Sequence, residues 1–175
     1  MFTANYVYEL PLGRGKHFGT NWNSVANALL GNWQTSGIYS FHAGFPLTVR
    51  ATDASGTNSR GARANCNGPA RQLGGVGPAA TWFDISSYSE PLAGTLGSCG
   101  NGVLRCPGLS EFDFGVEKKI PISEAKWVEF RGEFINLTNT PIFNSPTMSV
   151  VSTLFGQIRG SQGERNVQVA LKLYF

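Results

Sequence analysis

The chain runs to 175 residues, long enough for one domain with a sizeable core. Only 14% of residues are charged, well below the roughly 25% of ordinary globular proteins, while 22 are glycine and 12 phenylalanine; that composition suits a half-buried, turn-rich sheet. The formal net charge is only +3 and the 14 basic residues are scattered, so a nucleic-acid footprint is absent and no nucleic-acid partner is expected. Every apolar run falls far short of the roughly 18 to 20 residues of a membrane-spanning helix, which excludes helical insertion.

Met1 is followed by Phe2-Thr3-Ala4-Asn5-Tyr6 without a basic stretch or an apolar run, so no signal peptide is visible, and the chain is expected to be part of a longer exported protein. Period-two alternation then marks five strands in chain order. In the first, Phe2, Ala4, Tyr6, Tyr8 and Leu10 share a face opposite Thr3, Asn5, Val7 and Glu9. Asn23 to Leu30 has the composition of two helical turns capped by Asn23 or Ser24. The second strand sets Trp33, Gly37, Tyr39 and Phe41 against Gln34, Ser36, Ser40 and His42, with Ile38 out of pattern. Between Arg50 and Ser110 lie half of the glycines and all three cysteines, and this region reads as an elaborated loop rather than as core, with Phe83 an ordinary loop residue.

The third strand alternates Phe112, Phe114 and Val116 with Asp113, Gly115 and Glu117, and a tight turn from Ile120 to Ala125, marked by Pro121, leads into the fourth. There Val128, Phe130, Gly132 and Phe134 oppose Glu129, Arg131 and Glu133. The fifth sets Val167, Val169, Leu171, Leu173 and Phe175 against Gln168, Ala170, Lys172 and Tyr174. Each strand supplies about ten residues, the length a tilted strand needs to cross a bilayer, whereas soluble strands stop nearer five or six.

These features predict an all-β fold: an antiparallel transmembrane β-barrel segment of about five strands, near 2–12, 33–49, 111–119, 126–137 and 166–175. Bacterial outer-membrane barrels have short periplasmic turns and long extracellular loops. By that rule 50–110 and 138–165 are extracellular, and the C-terminus faces the periplasm. Five strands make an incomplete barrel, since the smallest membrane barrels have about eight. Aromatic residues at strand ends, Trp33, Tyr39, Phe41, Phe45, Trp127, Tyr174 and Phe175, would form interfacial girdles. In the competing picture, a soluble secreted β-sandwich that binds carbohydrate, they would be core.

The polar residues suggest structure before chemistry. Glu129, Arg131 and Glu133 fall on one face at spacings of about 7 Å and are expected to line the lumen as a charge ladder; Asp113 and Glu117 are candidates to join it, with Lys118, Lys119 and Lys172 as counter-charges. A glycosidase pair would need a cleft and a fixed carboxylate separation that nothing in the pattern supplies, so neither a catalytic residue nor a cofactor is expected. Gly13-Arg14-Gly15-Lys16 lacks phosphate-loop spacing, and His17 stands where Ser or Thr should follow the lysine. His42 has no neighbouring ligand type in the sequence, so no metal site is expected. Asn136-Leu137-Thr138 is a formal glycosylation sequon without weight in a bacterial surface protein. Arg60, Arg63, Asn65 and Arg71 are candidates for contacting an external ligand. Cys66, Cys99 and Cys106 lack metal-site spacing and predict one structural disulfide plus one odd thiol, with the pairing open.

The C-terminus carries a more specific pattern. It resembles the assembly signal of outer-membrane barrels, a polar residue, any, glycine, any, any, apolar, any, aromatic, with Gln168, Leu173 and Phe175 in place and Ala170 for the glycine. Upstream, Tyr8-Glu9-Leu10-Pro11-Leu12-Gly13-Arg14-Gly15-Lys16, Leu30-Gly31-Asn32-Trp33-Gln34-Thr35-Ser36-Gly37-Ile38, Phe130-Arg131-Gly132-Glu133-Phe134-Ile135-Asn136-Leu137-Thr138-Asn139 and Phe155-Gly156-Gln157-Ile158 look like the C-terminal barrel segments of TonB-dependent receptors of the Oar-like, carboxypeptidase-regulatory-like type. Cys106 stands where that family leads one to expect glycine, so a disulfide from it to Cys66 or Cys99 would be private to this chain. The resemblance implies a bacterial outer-membrane location and energy-coupled uptake of an unidentified solute. It also implies as partners outer-membrane lipid, the barrel-assembly machinery and, through N-terminal parts outside this chain, the TonB system.

Overall fold

The computed structural model describes residues 1–59, 61–123 and 125–175. In chain order the elements are β1 (Phe2–Glu9), α1 (Ser24–Leu30), β2 (Trp33–His42), β3 (Pro46–Leu47), β4 (Asn65–Cys66), a 3-10 turn at Ile85–Ser87, β5 (Tyr88–Ser89), β6 (Leu104–Arg105), β7 (Leu109–Ser123), β8 (Lys126–Ile135), β9 (Ile142–Phe143), β10 (Ser161–Gln162) and β11 (Asn166–Tyr174). No helix among the described residues is long and apolar enough to cross a membrane.

The five long strands form one sheet in the order β1-β2-β7-β8-β11. Pairing is antiparallel, with Tyr6 opposite Gly37, Glu117 opposite Arg131 and Leu171 opposite Phe130. The fold is thus all-β, built on an open antiparallel sheet whose edges are β1 and β11. The sandwich alternative needs a second sheet over the aromatic residues, but Phe2, Tyr6, Tyr39 and Phe41 are exposed.

The strand ends depart from the periodicity for local reasons. β1 stops at Glu9, short of 12, because Pro11 has no N–H to donate and Gly13 turns the chain at φ +124. β2 ends at His42 rather than near 49: Pro46 and Leu47 pair with β6, and Val49 is wholly buried in a different core. β7 is longer than 111–119 and absorbs Pro121, which sits opposite Trp127 beside a register shift between Pro121 and Ser123. A bulge tolerates a residue without a donor. The expected turn from Ile120 to Ala125 shrinks accordingly, and Glu124 within it lies outside the described residues. β8 stops at Ile135 because Asn136 adopts a left-handed φ of 51. Asn23 caps α1, its side chain accepting from the Ala26 N–H at 2.7 Å.

The chain divides into two units, one of Met1–His42, Ser110–Thr140 and Gly163–Phe175, the other of Ala43–Leu109 and Pro141–Gln162. The first contains the sheet. The second corrects the expectation of a loop without core. Val49, Ala64, Phe83, Tyr88, Cys99, Leu104 and Phe155 form a buried hydrophobic cluster, with Leu47, Trp82 and Met148 packed against it. Phe83 is wholly buried, its ring 5.6 Å from Tyr88 and 5.3 Å from Phe155, both edge-on, so it is a core residue rather than a loop one. Phe155 and Ile158 come from the second long connection, so two stretches far apart in sequence close one core.

The disulfide joins Cys66 and Cys99 and leaves Cys106 a free thiol, so the odd cysteine is not part of the bridge. Near it the backbone of Gly97 passes so close to the Arg63 carbonyl that a Cβ would lie 1.8 Å from the oxygen. Only glycine admits that approach.

Candidate functional site

Because side chains alternate along a strand, the five-stranded sheet has two faces of opposite character. One carries Phe2, Tyr6 and Tyr8 of β1, Tyr39 and Phe41 of β2, Phe130 and Phe134 of β8, and Val169, Leu171 and Leu173 of β11, in phase by register. Val167 and Phe175 extend that set, and all five apolar positions of the last strand are exposed, Phe175 to 92%. In water such a face would be an aggregation hazard.

The other face is polar. Arg131 is held by three carboxylates from two strands: Glu117 at 3.0 Å, Glu129 at 3.1 Å and Glu133 at 3.7 Å. The sequence placed Glu129, Arg131 and Glu133 together, and Glu117 joins them because β7 pairs it opposite Arg131. Lys119 and Lys172 flank Glu129 on the neighbouring strands in register. Asp113 does not enter the ladder; it accepts the Asn136 backbone N–H at 2.8 Å and fastens the end of β8. Lys118 does not enter it either. Its place one residue from Glu117 puts it on the apolar face opposite Phe130, where it donates to the Gly31 carbonyl and lies 4.8 Å from the Trp33 ring centroid.

An open groove of about 510 Å³ follows the polar face, lined by Asn5, Ser36, Asp113, Glu117, Arg131 and Glu133 among others. A second, of about 410 Å³, lies towards the β7–β8 turn beside Glu9, Lys16, Lys119 and Trp127. Lys16 and Glu9 pair there at 2.7 Å. Trp127 stacks on Tyr174 with ring centroids 4.6 Å apart, at the rung where β11 ends.

The assembly-signal residues run along an edge strand. Gln168 lies opposite Glu133, Ala170 opposite Arg131 and Leu173 opposite Val128, and Phe175 follows the last pair. The glycine position is filled by Ala170 beside Arg131, where a methyl group leaves the salt-bridge cluster intact.

Of the ligand candidates in the second unit, Arg60 lies outside the described residues. Asn65 is structural: its side-chain oxygen accepts the Ser98 N–H at 3.0 Å. The Arg71 carbonyl accepts the Asp84 N–H at 3.0 Å while the residue itself is exposed, and Arg63 is half-buried. The Ser86 hydroxyl, then its backbone N–H, hold the Asp84 carboxyl below its usual range. The Ser55 hydroxyl, then the Ser59 N–H, do the same for Asp53. Burial pushes the Tyr88 phenol up, and its hydroxyl has no hydrogen-bond partner among the described residues. The Cys106 sulfur accepts the Phe45 N–H at 3.0 Å. Among the described residues no group of three or more His, Cys, Asp or Glu is placed to hold a metal.

Sequence reasoning missed Asn136, which it set aside as an empty sequon. The residue is wholly buried; its side-chain nitrogen donates to the carbonyls of Thr140 and Gly163, and its oxygen accepts the Thr140 N–H at 3.0 Å. The available signal was two Asn residues just past a strand, a residue type that tolerates the left-handed φ that both adopt.

No curated protein and no solved structure matches the chain. The family model of the outer membrane beta barrel domain matches residues 1–168, nearly the whole length, and it agrees with the two-faced sheet. The chain therefore belongs to the outer membrane beta barrel domain family and is located in the bacterial outer membrane.

Proposed function

We propose that this chain supplies the last strands of a TonB-dependent receptor of the Oar-like type, a barrel that takes up a solute at the expense of energy delivered from the inner membrane, and that it has no catalytic role. The apolar face of the sheet then meets lipid, with Val167, Val169, Leu171, Leu173 and Phe175 as the lipid face of the last strand. The polar face lines the lumen. The segregation of charge on one sheet carries this reading: Arg131 with three carboxylates on one side, and the exposed apolar column of the last strand on the other. A lumen lined with paired charges suits a pore filled by a polar plug domain, since unpaired charge there would repel or trap the plug.

Gln168, Ala170, Leu173 and Phe175 serve as the signal read by the barrel-assembly machinery. An edge strand in hydrocarbon must find a partner for every backbone group, so β11 is the segment whose recognition matters during insertion. The Ala43–Leu109 and Pro141–Gln162 unit is extracellular, and its own core and disulfide support that placement in an oxidising, aqueous exterior.

The uptake assignment is tested by binding. Full-length protein in detergent is titrated with the purified periplasmic domain of TonB from the same bacterium. Saturable binding is the expected result. Its absence, with a correctly folded barrel on heat-modifiable gels, overturns uptake in favour of an adhesion or secretion barrel.

A further inference from the structure

Residues 10–32 join β1 to β2 at the sheet end where β7 turns into β8 and β11 runs out to Phe175. They do more than close a hairpin. Lys118, on the apolar face, is only 5% exposed because the Gly31 carbonyl receives its ammonium and the Trp33 ring lies beneath it. A bare lysine on a lipid-facing wall is costly. Here the connection crosses to the outside of the sheet and covers it. Asn27 braces that path: its side-chain oxygen accepts the Arg14 N–H at 2.7 Å, and its carbonyl accepts the Gly31 N–H.

Between this segment and the sheet lies an apolar groove of about 410 Å³, lined by Leu10, Leu12, Trp22 and Leu30 from the connection and by Trp33 and Val116 from the apolar face. The size falls within the usual range for small-molecule sites. Outside it, Val25 and Leu29, four apart on α1, are 68% and 65% exposed, and Phe18 is exposed as well. On the sheet, Val116 shares a face with Phe130 and Leu171, and the one charged side chain between them, Lys118, is the one the connection covers. In an outer-membrane protein the solvent of that surface is acyl chain.

We propose that residues 10–32 form an anchor lying in the plane of the membrane boundary on the outer wall of the barrel, and that its groove seats an acyl chain of a membrane phospholipid. This rests on the assignment of the apolar face to lipid. Val25 and Leu29 enter the hydrocarbon edge, and Trp22 and Trp33 sit at the depth where indole rings collect.

The test uses the full-length protein in phospholipid nanodiscs. Nitroxide labels are placed at Val25→Cys, Leu29→Cys, Leu171→Cys and, as an aqueous control, Leu96→Cys, each in a Cys106→Ala background checked for folding by heat-modifiable migration. Labels at 25, 29 and 171 should relax with dissolved oxygen and ignore a water-soluble nickel chelate, and the label at 96 should do the opposite. In parallel, phospholipids brominated on the acyl chain should quench most of the emission that Trp22→Phe removes. Aqueous behaviour at 25 and 29 with lipid behaviour at 171 overturns the anchor and leaves the wall assignment standing. Aqueous behaviour at 171 overturns both. Bromine quenching unchanged by Trp22→Phe overturns acyl-chain occupancy of the groove.

Discussion

The two units of this chain solve the same problem with opposite arrangements. The unit of Ala43–Leu109 and Pro141–Gln162 buries Phe83, Val49, Ile158 and Leu104 and exposes Arg50, Arg71, Arg105 and Arg159. The sheet unit buries Lys118 and Glu129 and exposes Leu171, Val169 and Phe175. On the proposed reading, what differs is the solvent. Lipid removes the drive to hide apolar side chains but raises the cost of an unpaired polar group, so the sheet spends its interactions on backbone pairing and on the Arg131 cluster. The other unit depends on packing and on a crosslink.

That contrast predicts where each unit breaks. The largest effect should follow deletion of Phe175. Burying one phenylalanine is worth about 2 to 3 kcal/mol, which a large barrel survives, whereas loss of an assembly signal removes the barrel from the membrane. Heat-modifiable migration of isolated outer membranes should show almost no folded protein for the deletion and a milder deficit for Leu173→Ala. Normal folded levels for the deletion would dismiss the signal and leave β11 an ordinary edge strand.

Phe83→Ala should act in the other unit and by the other mechanism. A fully buried aromatic ring with two edge-on neighbours costs about 3 to 5 kcal/mol when truncated to alanine. The barrel should still reach the membrane, but protease added to intact cells should cut within 43–109 far faster than in wild type. Equal loss of folded barrel would mean that the two units fold as one. Cutting only after the outer membrane is permeabilised would reverse the topology.

Reduction of the Cys66–Cys99 bridge, which spans 33 residues, should destabilise the same unit by about 3 to 4 kcal/mol on chain-entropy grounds and leave the sheet unchanged. In the sheet, Arg131→Met strands Glu117, Glu129 and Glu133 near one another. The expected cost is about 2 kcal/mol, less than the 3 to 5 of a fully buried pair because 34% of the Arg131 side chain is solvent-accessible. A shift in the urea midpoint of heat-modifiability would measure it, and a double variant that also removes Glu129 should recover part of the loss.

The sheet was legible in the sequence because its rule is local: a period of two over ten residues fixes which side chains share a face, and Glu129, Arg131 and Glu133 needed nothing more. Lys118 shows how that rule misleads when charge is read without parity, since one step along the strand carries it from the ladder to the apolar wall. The unit of Ala43–Leu109 and Pro141–Gln162 was not legible. Its core is assembled from single residues such as Val49, Ala64, Phe83 and Phe155, spaced without any period and held by two-residue ladders. Glycine content signalled turns there correctly but said nothing of what the turns bring together. Asn136 lies between these cases, visible as a turn residue and invisible as a buried brace.

The smallest predicted effect separates burial from hydrogen bonding inside the core around Phe83. Tyr88 is buried and stacks edge-on against Phe83 and Phe155, yet its hydroxyl has no partner among the described residues. Burial raises its pKa, because the phenolate would lose water that the core does not replace. A group whose folded pKa lies above its unfolded value contributes stability that is complete below the unfolded pKa, near 10, and is lost as pH rises through the folded value. The unit that holds Tyr88 should therefore weaken in the alkaline range above about pH 10, while the Tyr88→Phe variant should lose less there. At neutral pH that substitution removes an unsatisfied polar atom and keeps the ring, so it should be neutral or stabilising by about 1 kcal/mol. Hydrogen exchange of amides in 43–109, compared between neutral and alkaline solution after correction for the intrinsic rate, reads both effects. A destabilised Tyr88→Phe at neutral pH would mean that the hydroxyl holds an ordered water, and the core would then owe part of its specificity to a polar contact rather than to packing alone.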